Sequence, residues 1–182
     1  MFLKELSLVG FKNYDSVEIS FNPKLNCFVG LNAQGKTNIL DAIYYLSFCK
    51  SYFNPVDRQN IGLKHDFFIC QGEFFKNNEE YKVYCAVKKN IKKVFRINKK
   101  DYEKLSDHIG EFPLVIIAPY DTNLILEGSD IRRKFLDGIR AQYDKKYLHT
   151  LIQYNKVLLQ RNALLKNISK ERTYNHYQLM VC

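Results

Sequence analysis

The chain is 182 residues long, with 28 basic and 19 acidic side chains and a formal net charge of +9. Hydrophobic residues make up 46% and charged residues 26%, with only eight Gly and four Pro, so a packed core is possible and whole-length disorder, collagen and mucin-like stalks are excluded. No apolar run approaches the roughly 20 residues that cross a bilayer, so no membrane partner is expected.

The opening MFLKELSLVGFK reads as a strand with interspersed charges. It has neither the unbroken apolar stretch nor the small-residue cleavage site of a secretion signal. Val17, Ile19 and Phe21 alternate with polar residues, the pattern of a half-buried strand. A turn containing Pro23 follows, and the apolar run 25–29 predicts a buried strand. The period then changes: Ile39, Ala42, Ile43 and Leu46 fall at i, i+3, i+4 and i+7, which predicts a helix over 36–48. Strand patterns return from 66 to 99 as FFICQGEFF, YKVYCAVKK and KKVFRINKK. The turns NNEE and KKN between them predict a meander of antiparallel hairpins. PLVIIAP at 113–119, bracketed by prolines, predicts another buried strand. Past Gly128 the pattern is helical to about residue 170, with Ser129 as the expected N-cap. The expected division is a strand-rich lobe over 1–125 and a helical piece over 126–182.

Charge is distributed unevenly. Residues 1–81 carry 8 basic and 9 acidic side chains, whereas 82–182 carry 20 and 10. The excess sits in 82–104 and 130–172, which suggests a polyanionic partner, most simply nucleic acid. The alternative is a solvated face in a lysine-rich chain, and 21 Lys against 7 Arg favour it. Charge alone leaves both readings open. The candidates for DNA phosphate contact are Lys88, Lys89, Lys92, Lys93, Lys99 and Lys100, with Arg132 and Arg133. Cysteines at 27, 49, 70, 85 and 182 are odd in number and show no CxxC pairing. That argues for a reducing cytoplasm over a disulfide framework or zinc. His65, His108, His149 and His176 have no metal-ligand spacing.

Gly30, Leu31, Asn32, Ala33, Gln34, Gly35, Lys36 and Thr37 fit G-x-x-x-x-G-K-[ST], the phosphate-binding loop. Its glycines let the backbone fold tightly, so that successive N–H groups point at phosphate oxygens. Lys36 is placed for the β- and γ-phosphates of ATP, and the Thr37 hydroxyl for Mg²⁺. The helix starting here aims its positive end at the same anion. A carboxylate at the end of a second apolar strand would complete the site, but in 114–121 the Asp comes too late, beyond Pro119. Leu105 and Ser106 with Gly110 and Glu111 have the wrong spacing for an ABC signature.

The stretches LSLVGFKNY, GLNAQGKTNILDAIYYLSFCKSY, LSDHIGEFPLVIIAPYDTNLILEGSDIRRKFLDGIRAQ and YLHTLIQYNKVLLQRNALLK resemble the RecF family. These are bacterial recombination and replication-repair ATPases related to SMC proteins and ABC-type ATPases. The resemblance runs to about residue 167. It implies an α/β fold: an incomplete P-loop ABC-ATPase-like lobe with an antiparallel β section and the start of a helical lobe. It assigns Gly30 through Thr37, with the adjoining Asn38, to ATP, and brings Lys12 and Asn13 near the nucleotide. Ala33 stands where the family often has Gly, at a position expected to tolerate the change.

Family members are considerably longer and carry the ABC signature and Walker B motifs in their C-terminal part. The chain is therefore expected to be an N-terminal portion with no catalytic residue of its own. The resemblance further implies cytoplasmic DNA repair and replication in the DNA-damage and SOS response. The DNA would be single-stranded or gapped, the partners RecR- and RecO-type proteins, and the complete protein an ATP-dependent homodimer. The complete protein would be a weak DNA-stimulated ATPase, with little or no turnover in this chain alone. Two other readings stand beside it: a catalytically incomplete fragment acting as an interaction module, or a stand-alone P-loop kinase or NTPase. DNA stimulation of turnover separates the repair ATPase from the stand-alone enzyme, and nucleotide binding without turnover points to the module.

Overall fold

A computed structural model describes residues 1–171, so His176 and Cys182 lie outside the described residues. The chain forms two compact units, Met1–Ala118 and a second from Pro119 onward.

The first unit is built on a six-stranded antiparallel sheet in the order β2-β1-β3-β4-β5-β6. Its strands are β1 (Phe2–Phe11), β2 (Tyr14–Ser20), β3 (Phe67–Lys76), β4 (Glu79–Lys88), β5 (Val94–Ile97) and β6 (Lys100–Asp101). Helix α1 (Lys36–Phe48) packs against β3 and β4. The period-2 pattern sends Leu6 and Leu8 of β1, Phe68, Cys70 and Phe74 of β3, and Val83, Cys85 and Val87 of β4 into one core. Ile39, Ala42, Tyr45 and Leu46 of α1 meet them there. The closeness of this packing shows at Gly72. A Cβ there would lie 2.7 Å from Leu46 Cδ1, so any larger residue would have to displace Leu46. On the other face Glu73 pairs with Lys4 at 3.1 Å and with Lys82 at 3.2 Å.

Register is set by two-residue turns. Asn77 and Asn78 both take positive φ, 54° and 63°, which matches the right-handed twist of the β3–β4 hairpin. Asn98 and Lys99, at 47° and 68°, do the same. They split the expected strand KKVFRINKK into β5 and β6, because asparagine tolerates the left-handed region and turns the chain there.

Two strand expectations fail. The runs 25–29 and 113–118 form no regular element and join no sheet. Leu25 and Val29 are 82% and 89% exposed, and Val115 and Ile117 are 77% and 85% exposed. Apolar composition encodes a demand for burial, but a strand exists only where another strand pairs with it. Among the described residues none lies alongside these runs.

His108 is fully buried beneath α1. Its Nε2 lies 2.6 Å from the Leu46 carbonyl oxygen and its Nδ1 lies 3.1 Å from the Tyr102 hydroxyl. A carbonyl can only accept, so Nε2 carries a proton and donates to Leu46.

The second unit holds α2 (Asn123–Leu126), α3 (Ser129–Tyr143) and α4 (Lys145–Glu171). Gly128, not Ser129, occupies the N-cap of α3, with extended φ −69° and ψ 174°. The helical stretch breaks at Asp144, whose carboxylate accepts the Tyr147 N–H at 2.8 Å and caps α4. That hydrogen bond holds the Asp144 carboxyl below its usual range.

Candidate nucleotide-binding site and basic surface

The loop 30–37 leads from the apolar run 25–29 into α1. Three of its residues take positive φ: Gly30 at 151°, Ala33 at 65° and Gly35 at 99°. Ala33 thus sits where glycine is favoured, and its Cβ costs roughly 1–2 kcal/mol in the left-handed region. The substitution is therefore less neutral than its place between the motif glycines suggests. Gly35 is constrained twice, by its φ and by space, since a Cβ would lie 2.5 Å from Asn13 Nδ2 and 2.8 Å from the Tyr14 hydroxyl.

Helix α1 begins at Lys36, with its first bonds running from the Asn38 and Ile39 N–H groups to the Gly35 carbonyl. No side chain caps it, and its first turn holds no acidic residue. The start of a helix leaves N–H groups without intrahelical partners, and here no acidic side chain of the first turn offsets their partial positive charge. Lys36 Nζ donates to the carbonyls of Gly30 at 2.7 Å and Leu31 at 2.6 Å, which holds the ammonium over the start of the loop. Thr37 is exposed. These donors fit a Mg²⁺-bound nucleoside triphosphate: amides and Lys36 for phosphate, the Thr37 hydroxyl for the cation. Among the described residues no group of three or more His, Cys, Asp or Glu could hold a metal without phosphate oxygens.

Of the pair carried over from the early Phe-Lys-Asn-Tyr segment, Asn13 reaches the loop. Its Nδ2 donates to the Gln34 carbonyl at 3.3 Å, and its Oδ1 accepts from Asn38 Nδ2 at 2.7 Å. Lys12 turns instead to Asp41 on α1. Asp41 is fully buried and also accepts from Ser51 Oγ at 2.6 Å and the Tyr52 N–H at 2.7 Å. The carboxylate is satisfied by these three donors, which ties the β1–β2 turn, the helix and the loop 50–56 together. Sequence reasoning passed over Asp41. Its signal was an acidic residue on the same helical arc as Ala42 and Tyr45.

The DNA candidates divide. Lys88, Lys92, Lys99 and Lys100 are exposed and make no ion pair among the described residues. Lys89 is exposed and pairs with Asp66 at 2.9 Å. Lys93 does not belong to that surface. Its side chain is 14% exposed and is bound to Asp57 at 2.8 Å, to the Cys49 carbonyl at 2.6 Å and to the Tyr45 hydroxyl at 3.1 Å. Arg132 donates to the carbonyls of Leu124 and Glu127 at 3.2 and 2.9 Å, bracing α2 against α3. Arg133 pairs with Asp130 one turn away. Asp137 accepts from the Tyr147 hydroxyl at 2.5 Å.

Comparison with known proteins follows the same lines. The profile of the AAA ATPase domain family matches residues 1–180. A curated relative from Phocaeicola vulgatus, called DNA replication and repair protein RecF, is 54% identical over 169 residues, which are 92% of this chain and 45% of the relative. A solved structure described as the recombination mediator protein RecF-ATPrS in the RecFOR pathway superposes with a TM-score of 0.91 at 34% identity, over 99% of this chain and 48% of that one. A structure from a study of ATP-driven dimerization of SMC ATPases shares the fold, with a TM-score of 0.62 at 20% identity over 76% of this chain and 99% of that one. The chain spans about half the length of the curated relatives it matches.

Proposed function

Because the chain belongs to the AAA ATPase domain family and is similar to RecF proteins over about half of their length, we propose that it binds ATP with Mg²⁺ at residues 30–38 and serves DNA repair and replication. The observation that best supports this is the uncapped start of α1, without acidic residues, behind a loop whose backbone turns through three positive-φ positions. Such an arrangement has few uses other than holding a multiply charged anion.

In this reading the loop amides and Lys36 bind the phosphates and the Thr37 hydroxyl ligates Mg²⁺, which supplies neutralisation of developing charge. Asn13 holds the loop from the β1–β2 turn. Within a complete protein, ATP draws two copies into a dimer that acts with RecR- and RecO-type partners on single-stranded or gapped DNA. The exposed lysines of 88–100 supply phosphate contacts, which position a protein without reading sequence.

Titration with a fluorescent ATP analogue in Mg²⁺ tests the site. Lys36→Ala removes the charge-assisted contact to phosphate and should abolish binding. Equal affinity of wild type and variant overturns the assignment. Turnover by the chain alone should be very low, and a rate of roughly 1–1,000 per second would place the catalytic residues within it.

A further inference from the structure

Five exposed lysines surround 88–100, and a sixth, Lys93, points inward. A buried ammonium is costly unless its protons are all used. An ammonium has three, and Lys93 has three acceptors: Asp57 Oδ2, the Cys49 carbonyl and the Tyr45 hydroxyl. The triangle is closed by Tyr45, whose hydroxyl donates to Asp57 Oδ1 at 2.5 Å. Burial and Asp57 push the Tyr45 hydroxyl far above its usual range, so it stays protonated and donating.

Two of these acceptors belong to the carboxyl end of α1. Cys49 is its C-cap, and Tyr45 lies in its last turn. The last carbonyls of a helix lack partners and carry partial negative charge, so a cation is well placed there. The phosphate-binding loop sits at the other end of the same helix, whose 13 residues span about 20 Å. The short β4–β5 connection that holds Lys93 also holds Lys89 and Lys92, with Lys88 at its start. Any displacement of this connection by a bound polyanion therefore pulls on the carboxyl end of the helix whose other end forms the loop.

We infer that Lys93 is a positioning residue that couples the basic β4–β5 connection to the nucleotide loop through α1, so that a DNA backbone on Lys88, Lys89 and Lys92 and ATP on residues 30–38 change each other's affinity. This rests on the proposed ATP and DNA binding. Coupling between two binding sites is reciprocal, so either ligand can report it.

The test uses the 182-residue chain, a fluorescent ATP analogue with Mg²⁺ and a gapped DNA duplex. Nucleotide affinity is measured with and without DNA for wild type, Lys93→Met and Asp57→Asn. Asp57→Asn nearly preserves shape and can still accept from Tyr45, so it is informative even if Lys93→Met fails to fold. Wild type should show a DNA-dependent change of about 5-fold or more. In the variants that ratio should collapse to near one, while each ligand alone binds within about 2-fold of wild type, still at the lower edge of measurable coupling. A merely structural Lys93 would lower melting temperature and leave the ratio intact. A ratio that survives in either folded variant, or is absent from a wild type that binds both ligands, overturns the coupling. A wild type that fails to bind nucleotide or DNA overturns the functional reading on which it rests.

Discussion

Asn13 and Gly35 are so close that no Cβ fits between them: one built on Gly35 would lie 2.5 Å from the Asn13 amide nitrogen. The loop is thus moulded on its outer side by the β1–β2 turn. Gly35→Ala adds both this overlap and an unfavourable φ of 99°. Nucleotide affinity should fall by more than tenfold. Asn13→Ala in the same chain should recover only part of it, because the Tyr14 hydroxyl still lies 2.8 Å from the new Cβ and the backbone strain stays. Full recovery in fluorescence titration would show that φ is not constrained there.

Lys12→Met leaves the fully buried Asp41 carboxylate without its cation. Removing one partner of a buried pair costs about 3–5 kcal/mol. Urea denaturation should show that loss, and the double variant Lys12→Met, Asp41→Asn should be more stable than Lys12→Met alone. Additive losses would refute the pairing.

Gly72→Ala drives a methyl to 2.7 Å from Leu46 Cδ1 and 3.1 Å from Leu3 Cδ1. Overpacking of this kind costs about 1–3 kcal/mol. Leu46→Ala alone should cost about 2–5 kcal/mol. Combined, the two should cost clearly less than their total, since each relieves the other.

Charge reversal at Lys88 and Lys92 should flatten the salt dependence of DNA binding by about 1.4–1.8 in log K per log salt, two contacts' worth. ATP affinity without DNA should be unchanged. An unaltered slope on single-stranded and gapped DNA would make this surface merely solvated.

The Asp144 carboxylate caps α4, and its folded value lies below the ordinary 3.8 because the Tyr147 N–H favours the charged form. The sign follows: the cap's contribution is complete above the unfolded value and fades as pH falls through the lower folded one. Asp144→Ala should therefore reduce helical circular dichroism at neutral pH, and its difference from wild type should shrink at acid pH below both values. A difference that is constant with pH would mean the capping is not carried by charge.

What could be read from sequence was local. The loop motif and α1 follow from contiguous residues and one period, and α1 stands over Lys36–Phe48 as expected. The β3–β4 hairpin was legible because paired asparagines announce its turn. Most of the misses are long-range. Pairing of 25–29 and 113–118 depends on what lies beside them, which their apolar letters do not encode. Lys93 looked like its neighbours because burial is decided by Asp57 and Cys49, 36 and 44 residues away in sequence. Asp144 was readable, as a capping residue before a long helical period, and a continuous helical reading hid it.

The bare apolar runs also govern how the chain behaves in bulk solution. Leu25, Val29, Leu31, Val115 and Ile117 present adhesive surface to neighbouring molecules, while a formal charge of +9 keeps those molecules apart. Added salt shortens the reach of that repulsion from about 30 Å at 0.01 M to about 8 Å at 0.15 M and leaves the adhesion untouched. Colloidal stability of the chain is therefore highest at low ionic strength, the same condition in which polyanion binding is strongest, so solubility and affinity decline together as salt rises.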